Sequence, residues 1–180
     1  MRVLLAMLIA AFGFAALADM PAPQGRVLVT VGGDLPEGNM PPGHEDDVGF
    51  FGFLDLNFAT AVGFDAAALA AMEQGQITLA EFGAMRDVTF TGPYLAAVIT
   101  AAGAAERTAK PVALDGYQVD ITWDNQIGLR PILATHANGR PLGLGGFGPA
   151  TIIYPPQEDA ALQEELDALQ VWAVVFIGVE

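Results

Sequence analysis

Four groups of residues carry side chains or spacings that chemistry uses. His44-Glu45-Asp46-Asp47 offers an imidazole and carboxylates to a hard cation. It lies among prolines and glycines and lacks the second histidine of a helical zinc motif, so a solvated acidic loop is the simpler reading. Gly143-Leu144-Gly145-Gly146-Phe147-Gly148 has the G-x-G-x-x-G spacing of a dinucleotide site. It runs into Pro149 and a β-branched stretch instead of opening a helix, so the N–H array that would hold a pyrophosphate is not expected, and the glycines read as a loop allowing close backbone approach. His136 has no serine or cysteine anywhere in the chain to activate, which removes serine and cysteine triads. Leu114-Asp115-Gly116-Tyr117 places a carboxylate in a turn between apolar runs, where it either caps backbone N–H groups or meets a ligand.

The elements that must position these groups follow from periodicity and punctuation. Arg26 to Val31 is a β-branched strand ended by Gly32-Gly33, and Asp34 to Asp47, with three prolines, reads as an exposed loop. Asp65 caps a helix over Ala66 to Gln74 that Gly75 ends, with Leu69 and Met72 inward. Strands are expected at Ile77 to Phe82 and Asp87 to Thr91. Gly92-Pro93 then starts a helix that places Leu95, Val98, Ile99 and Ala102 on one face before Gly103. Tyr117, Val119, Ile121 and Trp123 alternate with polar residues, predicting a strand with one buried face. Pro131 to Ala137 reads as a strand turned by Asn138-Gly139 into Arg140-Pro141-Leu142. Thr151 to Tyr154 is a short strand stopped by Pro155-Pro156, Asp159 to Gln170 an acidic helix with Leu162, Leu166 and Leu169 on one stripe, and Trp172 to Val179 a closing strand. Strands and helices intersperse without a regular βαβ repeat, which predicts a mixed α+β domain.

Composition bounds the function. Met1 to Ala18 reads as a secretory signal peptide: Arg2, an apolar stretch over Val3 to Leu17, and Ala16-Leu17-Ala18 before Asp19. The apolar run is shorter than the roughly 20 residues of a spanning helix, so residues 19–180 are expected as one exported domain with no direct membrane insertion after cleavage, an uncleaved anchor being the alternative. With 7 Lys+Arg against 21 Asp+Glu and a formal charge of −14, phosphate neutralisation is out of reach and nucleic acid is excluded as a partner. The complete lack of cysteine removes disulfides, thiol catalysis, iron–sulfur clusters and thiolate metal sites.

Several segments together resemble a known family. Phe90-Thr91-Gly92-Pro93-Tyr94-Leu95, Ala113-Leu114-Asp115-Gly116-Tyr117, Ile132-Leu133-Ala134 with Asn138-Gly139-Arg140-Pro141-Leu142, Gly148-Pro149, Tyr154-Pro155, and Trp172 with Ile177 and Val179 are similar, in order, to the molybdopterin-binding domain of the sulfite oxidase superfamily. The resemblance implies a single mixed-sheet α+β domain of that type. Two departures matter. The superfamily's enzymes bind molybdenum through a cysteine, which this chain lacks, and Thr151 stands where they carry an arginine for the cofactor phosphate. The chain is closer to a small exported branch of metal-free pterin-binding proteins that control a membrane-bound enzyme of cyclic di-GMP turnover. That resemblance implies a non-catalytic periplasmic pterin-binding regulator, with a pterin and no molybdenum as ligand, and the periplasmic domain of an inner-membrane signalling protein as partner.

A pterin presents a 2-amino group beside N3–H, so a carboxylate accepts both while an aromatic ring stacks on its face. If the family fold holds, the candidate pocket comprises Asp115, Gly116, Tyr117, Tyr94, Trp123, Asp124, Arg130, Asn138, Phe147 and Gly148. Asp115 or Asp124 meets the pyrimidine edge, Tyr117 or Trp123 stacks, and Arg130 meets a carbonyl or a carboxylated tail. Two other functions compete: a molybdopterin-dependent enzyme with a non-cysteine metal ligand, and a ligand-free adaptor that uses its acidic face.

Overall fold

The computed structural model describes residues 20–41 and 49–180; the leader and the His44 cluster lie outside them. The described chain is a small α+β domain built on a mixed sheet, as the interspersed elements predict. β1 (Val27–Gly33) lies parallel to β10 (Val174–Val179), with Thr30 opposite Phe176. β2 (Thr60–Asp65) and β5 (Ala109–Ala113) flank them antiparallel, giving the order β2-β1-β10-β5. A second, antiparallel sheet runs β3 (Gln74–Phe82), β4 (Met85–Pro93), β7 (His136–Ala137), β8 (Arg140–Pro141), while β6 (Ile132–Ala134) pairs with β9 (Thr151–Ile153). Five helices complete it: α1 (Phe50–Phe53), α2 (Ala66–Ala70), α3 (Leu95–Ala101), α4 (Trp123–Gly128) and α5 (Ala160–Leu169).

The main core forms where α3 and α5 cover the mixed sheet. Leu95, Val98 and Ile99 of α3 and Leu166 of α5 are fully buried with Val29, Val31, Val62 and Ile177. Each such side chain contributes about 1.5–3 kcal/mol of burial. A second cluster joins Ile77, Phe82, Val88 and Phe90 to Ile132, Ala134 and Ile153, fastening the antiparallel sheet to the β6–β9 pair. Asn138 and Gly139 both take positive φ in the β7–β8 turn, as an Asn-Gly hairpin requires.

Three expected elements differ. The helix placed over Ala66 to Gln74 ends at Ala70, and Gln74 already begins β3: the Gln74 side chain donates to the Leu69 and Met72 carbonyls, closing the helix before Gly75. The alternating Tyr117–Trp123 segment is no strand. It touches β5 only through isolated bridges at Gln118 and Ile121, and its last residue opens α4 because the Thr122 hydroxyl accepts the Asn125 N–H. Alternation marked the burial of Ile121 but not the ladder. The expected 131–137 strand divides at Thr135 into β6 and β7, which serve different sheets.

Asp65, at the β2–α2 junction, is 5% exposed and accepts three backbone N–H groups: Ala68 on Oδ1 (2.8 Å), Gln24 (2.9 Å) and Gly25 (2.8 Å) on Oδ2. The bonds from Ala68 and Gly25 hold its carboxyl below the usual carboxylate range. A depressed folded-state pKa stabilises the fold above the unfolded value, and the contribution fades as pH falls through the folded one. Asp65→Asn is therefore expected to unfold at lower temperature than the wild type near neutrality, and the gap is expected to narrow as pH drops below about 4. Thermal unfolding followed by circular dichroism from neutral to acid pH checks this.

Candidate functional site

The chain places three of the ten sequence-derived site residues around one groove. α3 presents Ala96, Ala97, Thr100 and Ala101, whose small side chains leave room; α4 presents Trp123, Gln126 and Ile127; Tyr94 and Arg130 close one end beside Met72 and Glu73. The cavity measures about 480 Å³.

Local sequence explains each position. Tyr94 follows Pro93 and is the N-cap of α3, with its N–H donated to Glu73 O (3.1 Å), so its ring is fixed where β4 becomes α3. Arg130 follows the end of α4 in the left-handed region (φ 51°), a conformation that costs an L-residue about 1–2 kcal/mol and is usually given to glycine. That turn lays the guanidinium on Tyr94, its Cζ 4.0 Å from the ring centroid, and Nη2 donates to Glu73 Oε1 at 2.9 Å. Tyr94 and the Glu73 carboxylate both push the Arg130 pKa upward. The Arg130–Glu73 pair is more than half exposed, so solvent screens it and either member is readily re-engaged by a ligand.

Gln126 is the unusual member. It is 1% exposed, and Nε2 donates to the carbonyls of Ile121 (3.0 Å) and Arg107 (3.1 Å), which fixes the amide orientation. Its Oε1 is shielded from solvent and has no hydrogen-bond partner. A buried carbonyl oxygen left unsatisfied costs about 1–3 kcal/mol. The groove thus offers an acceptor of N–H groups in Glu73, a cationic donor in Arg130, and the aromatic surfaces of Tyr94 and Trp123.

The other sequence-derived residues lie elsewhere. Asp124 is exposed in the first turn of α4 and is not among the groove-lining residues. Asp115 Oδ1 accepts the Tyr117 N–H (3.0 Å) across Gly116 (φ +87°), the backbone-capping role of a turn carboxylate. Tyr117 is 47% exposed and its hydroxyl donates to Ala168 O (2.8 Å), fastening the turn to the end of α5. Asn138 is tied to Thr89 in both directions: its N–H donates to Thr89 O (2.8 Å) and its Oδ1 accepts Thr89 N–H (2.9 Å). Phe147 packs edge-on against Phe82 and Trp172, and Gly148, before a cis bond to Pro149, sits where a Cβ would lie 2.5 Å from the Leu142 carbonyl. Leu114 and Pro149, neighbours of Asp115 and Gly148, line a second, mostly apolar cavity of about 540 Å³ with Leu28, Met40, Phe51 and Val175.

Glu73 and Gln126 escaped the sequence reading. Glu73 fell inside the overextended helix, and Gln126 inside a polar run, Asp124-Asn125-Gln126, that gave no sign of burial. No family model and no curated protein matches the chain.

Replacing Gln126 by leucine deprives the Ile121 and Arg107 carbonyls of their donor while removing the orphaned oxygen. A net loss of about 1–2 kcal/mol is expected, since one lost pair of hydrogen bonds is partly offset by the relieved acceptor. Urea unfolding of Gln126→Leu against wild type measures it.

Proposed function

We propose that the protein is a non-catalytic pterin-binding protein with a sulfite oxidase-type domain, acting in the periplasm on a membrane-bound cyclic di-GMP signalling partner, and that the α3–α4 groove holds the pterin. The observation that carries the ligand reading is the Arg130 guanidinium stacked on Tyr94 and paired with Glu73 in the same groove as Trp123. The donor set fits a pterin. Its 2-amino and N3–H groups are donors that suit the Glu73 carboxylate, its ring carbonyl suits Arg130, and its flat ring suits the indole of Trp123. A cavity of about 480 Å³ is of the size that accommodates such a ligand.

The groove side chains bind and orient; the chain has no serine or cysteine to form a covalent intermediate with a substrate. The signalling role and compartment rest on the family resemblance and the Met1–Ala18 leader. The excess of carboxylates favours a basic partner surface, with complex formation that falls as ionic strength rises.

The chain has two tryptophans, so Trp172→Phe leaves Trp123 as the single indole reporter in the groove. Titration of that protein with an oxidised and a tetrahydro pterin is expected to quench Trp123 saturably, with Arg130→Ala weakening the affinity about tenfold or more and Asp115→Ala leaving it unchanged. Loss of binding in Asp115→Ala with retention in Arg130→Ala moves the ligand to the Asp115 turn. Absence of saturable quenching by either pterin overturns the ligand reading.

A further inference from the structure

Sheet edges in this fold are treated unequally. The outer edge of β2 is covered by the 36–40 segment: Asn39 and Met40 N–H groups donate to Ala61 O, and Asn39 Oδ1 accepts Gly63 N–H. The outer edge of β5 is covered by the Tyr117–Ile121 connection, through Ala109–Ile121 bonds in both directions and Ala113 N–H to Tyr117 O. β8 is only two residues long. β3 has nine residues, pairs on one side with β4, and among the described residues has no strand on the other.

The direction of its free groups follows from the ladder. Thr91 O and Thr89 O accept from Thr135 and Asn138, so both threonines turn their backbone toward β7. Gln76 stands opposite Thr91 and Thr78 opposite Thr89, so these two β3 residues aim N–H and C=O away from β4. The facing wall makes no backbone ladder with this edge among the described residues. It begins with Pro155-Pro156, which have no N–H to give, and continues along α5. Two cavities, of about 290 and 470 Å³, follow each other along β3 between Gln76 and Gly83 and share Pro156. Trp172, 48% exposed, lines the larger one.

We propose that the open edge of β3 is a docking groove for an extended, basic segment of a partner protein, which adds as a strand between β3 and α5. Main-chain pairing supplies the affinity of such an addition, and the walls choose the side chains. Here the α5 wall is acidic: Glu158, Asp159, Glu164, Glu165 and Asp167 crowd ten residues, and no Lys or Arg follows Arg140 in the chain. Asp167 lines the groove itself. Pairing of two copies edge to edge would bring two such acidic helices together, whereas lysines on an incoming strand neutralise one. The cations near β3 are already engaged, Arg86 with Glu81 and Arg130 with Glu73. The smaller cavity shares Tyr94 and Arg130 with the α3–α4 groove, so docking is tested with no ligand in that groove.

The test uses the full chain without added ligand and a fluorescent nine-residue peptide of alternating valine and lysine. Fluorescence anisotropy is expected to show saturable binding, weakened about tenfold or more when glutamate replaces lysine and when proline, or N-methylation at alternate residues, blocks the peptide's N–H groups. Thr78→Pro removes an outward donor that β4 does not use, and is expected to weaken binding to a similar degree; Asp167→Asn is expected to flatten the salt dependence. The N-methylated peptide keeps the test decisive with wild-type protein if Thr78→Pro does not fold. Equal binding of the lysine, proline-interrupted and N-methylated peptides overturns strand addition in favour of charge attraction alone. No binding up to about millimolar peptide overturns the groove. Concentration-dependent dimerisation that Thr78→Pro abolishes replaces the basic partner by a second copy.

Discussion

The close approach of Gly92 to the Leu133 backbone is the constraint on which the rest of the arrangement hangs. A Cβ at Gly92 would lie 2.2 Å from Leu133 O, so only glycine lets β4 cross β6 at this depth. From that crossing the chain makes a bridge from Tyr94 to Ile132 and a bond from Leu95 N–H to Pro131 O (2.9 Å). These contacts start α3 at a fixed point and bring the segment after α4 alongside it. Arg130, immediately before Pro131, thereby reaches the Tyr94 ring. The same junction fastens the antiparallel sheet to the β6–β9 pair through Phe90, Ile132 and Ile153. One missing side chain therefore serves the core and the groove together.

Where the sequence was legible, local chemistry and tertiary demand agree. The Asn138-Gly139 hairpin, the Asp65 cap, the leucine stripe of α5 and the closing strand each depend on signals within a few residues, and tertiary packing preserves them. The failures occur where long-range pairing decides. β2 and β5 lie in stretches without clean alternation and exist because they flank β1 and β10. The 117–123 segment has the alternation of a strand, but β5 offers it only scattered bonds and Thr122 diverts it into α4.

The candidate site shows the same division. Tyr94, Trp123 and Arg130 were named through the resemblance, and their meeting depends on α3 and α4 lying side by side, which no local pattern announces. Asp115 and Asn138 were equally conspicuous in sequence, yet each has a backbone partner within its own turn or across one strand. Residues that punctuate turns are conspicuous because turns need them, so prominence in sequence is a weak guide to ligand contact.

Two buried side-chain oxygens among the described residues have no hydrogen-bond partner, Gln126 Oε1 and Tyr154 Oη, and their surroundings give the two vacancies different meaning. Tyr154 is 1% exposed in the main core, where burial pushes its phenol well above the ordinary tyrosine range and keeps it protonated. Its large ring fills volume that Phe would fill as well, so the idle hydroxyl is a cost borne inside packed hydrocarbon. Gln126 instead belongs to a wall of the α3–α4 groove, and its amide is locked by two backbone carbonyls that prevent Oε1 from rotating to another partner. Its Oε1 is as shielded from solvent as the tyrosine hydroxyl, so a ligand's N–H reaches it only after the wall shifts. The difference between the two residues is thus their neighbourhood and not their burial: Gln126 stands in the wall that Tyr94, Trp123 and Arg130 share, where aromatic surface and a cation meet an open groove, whereas Tyr154 stands in packed core.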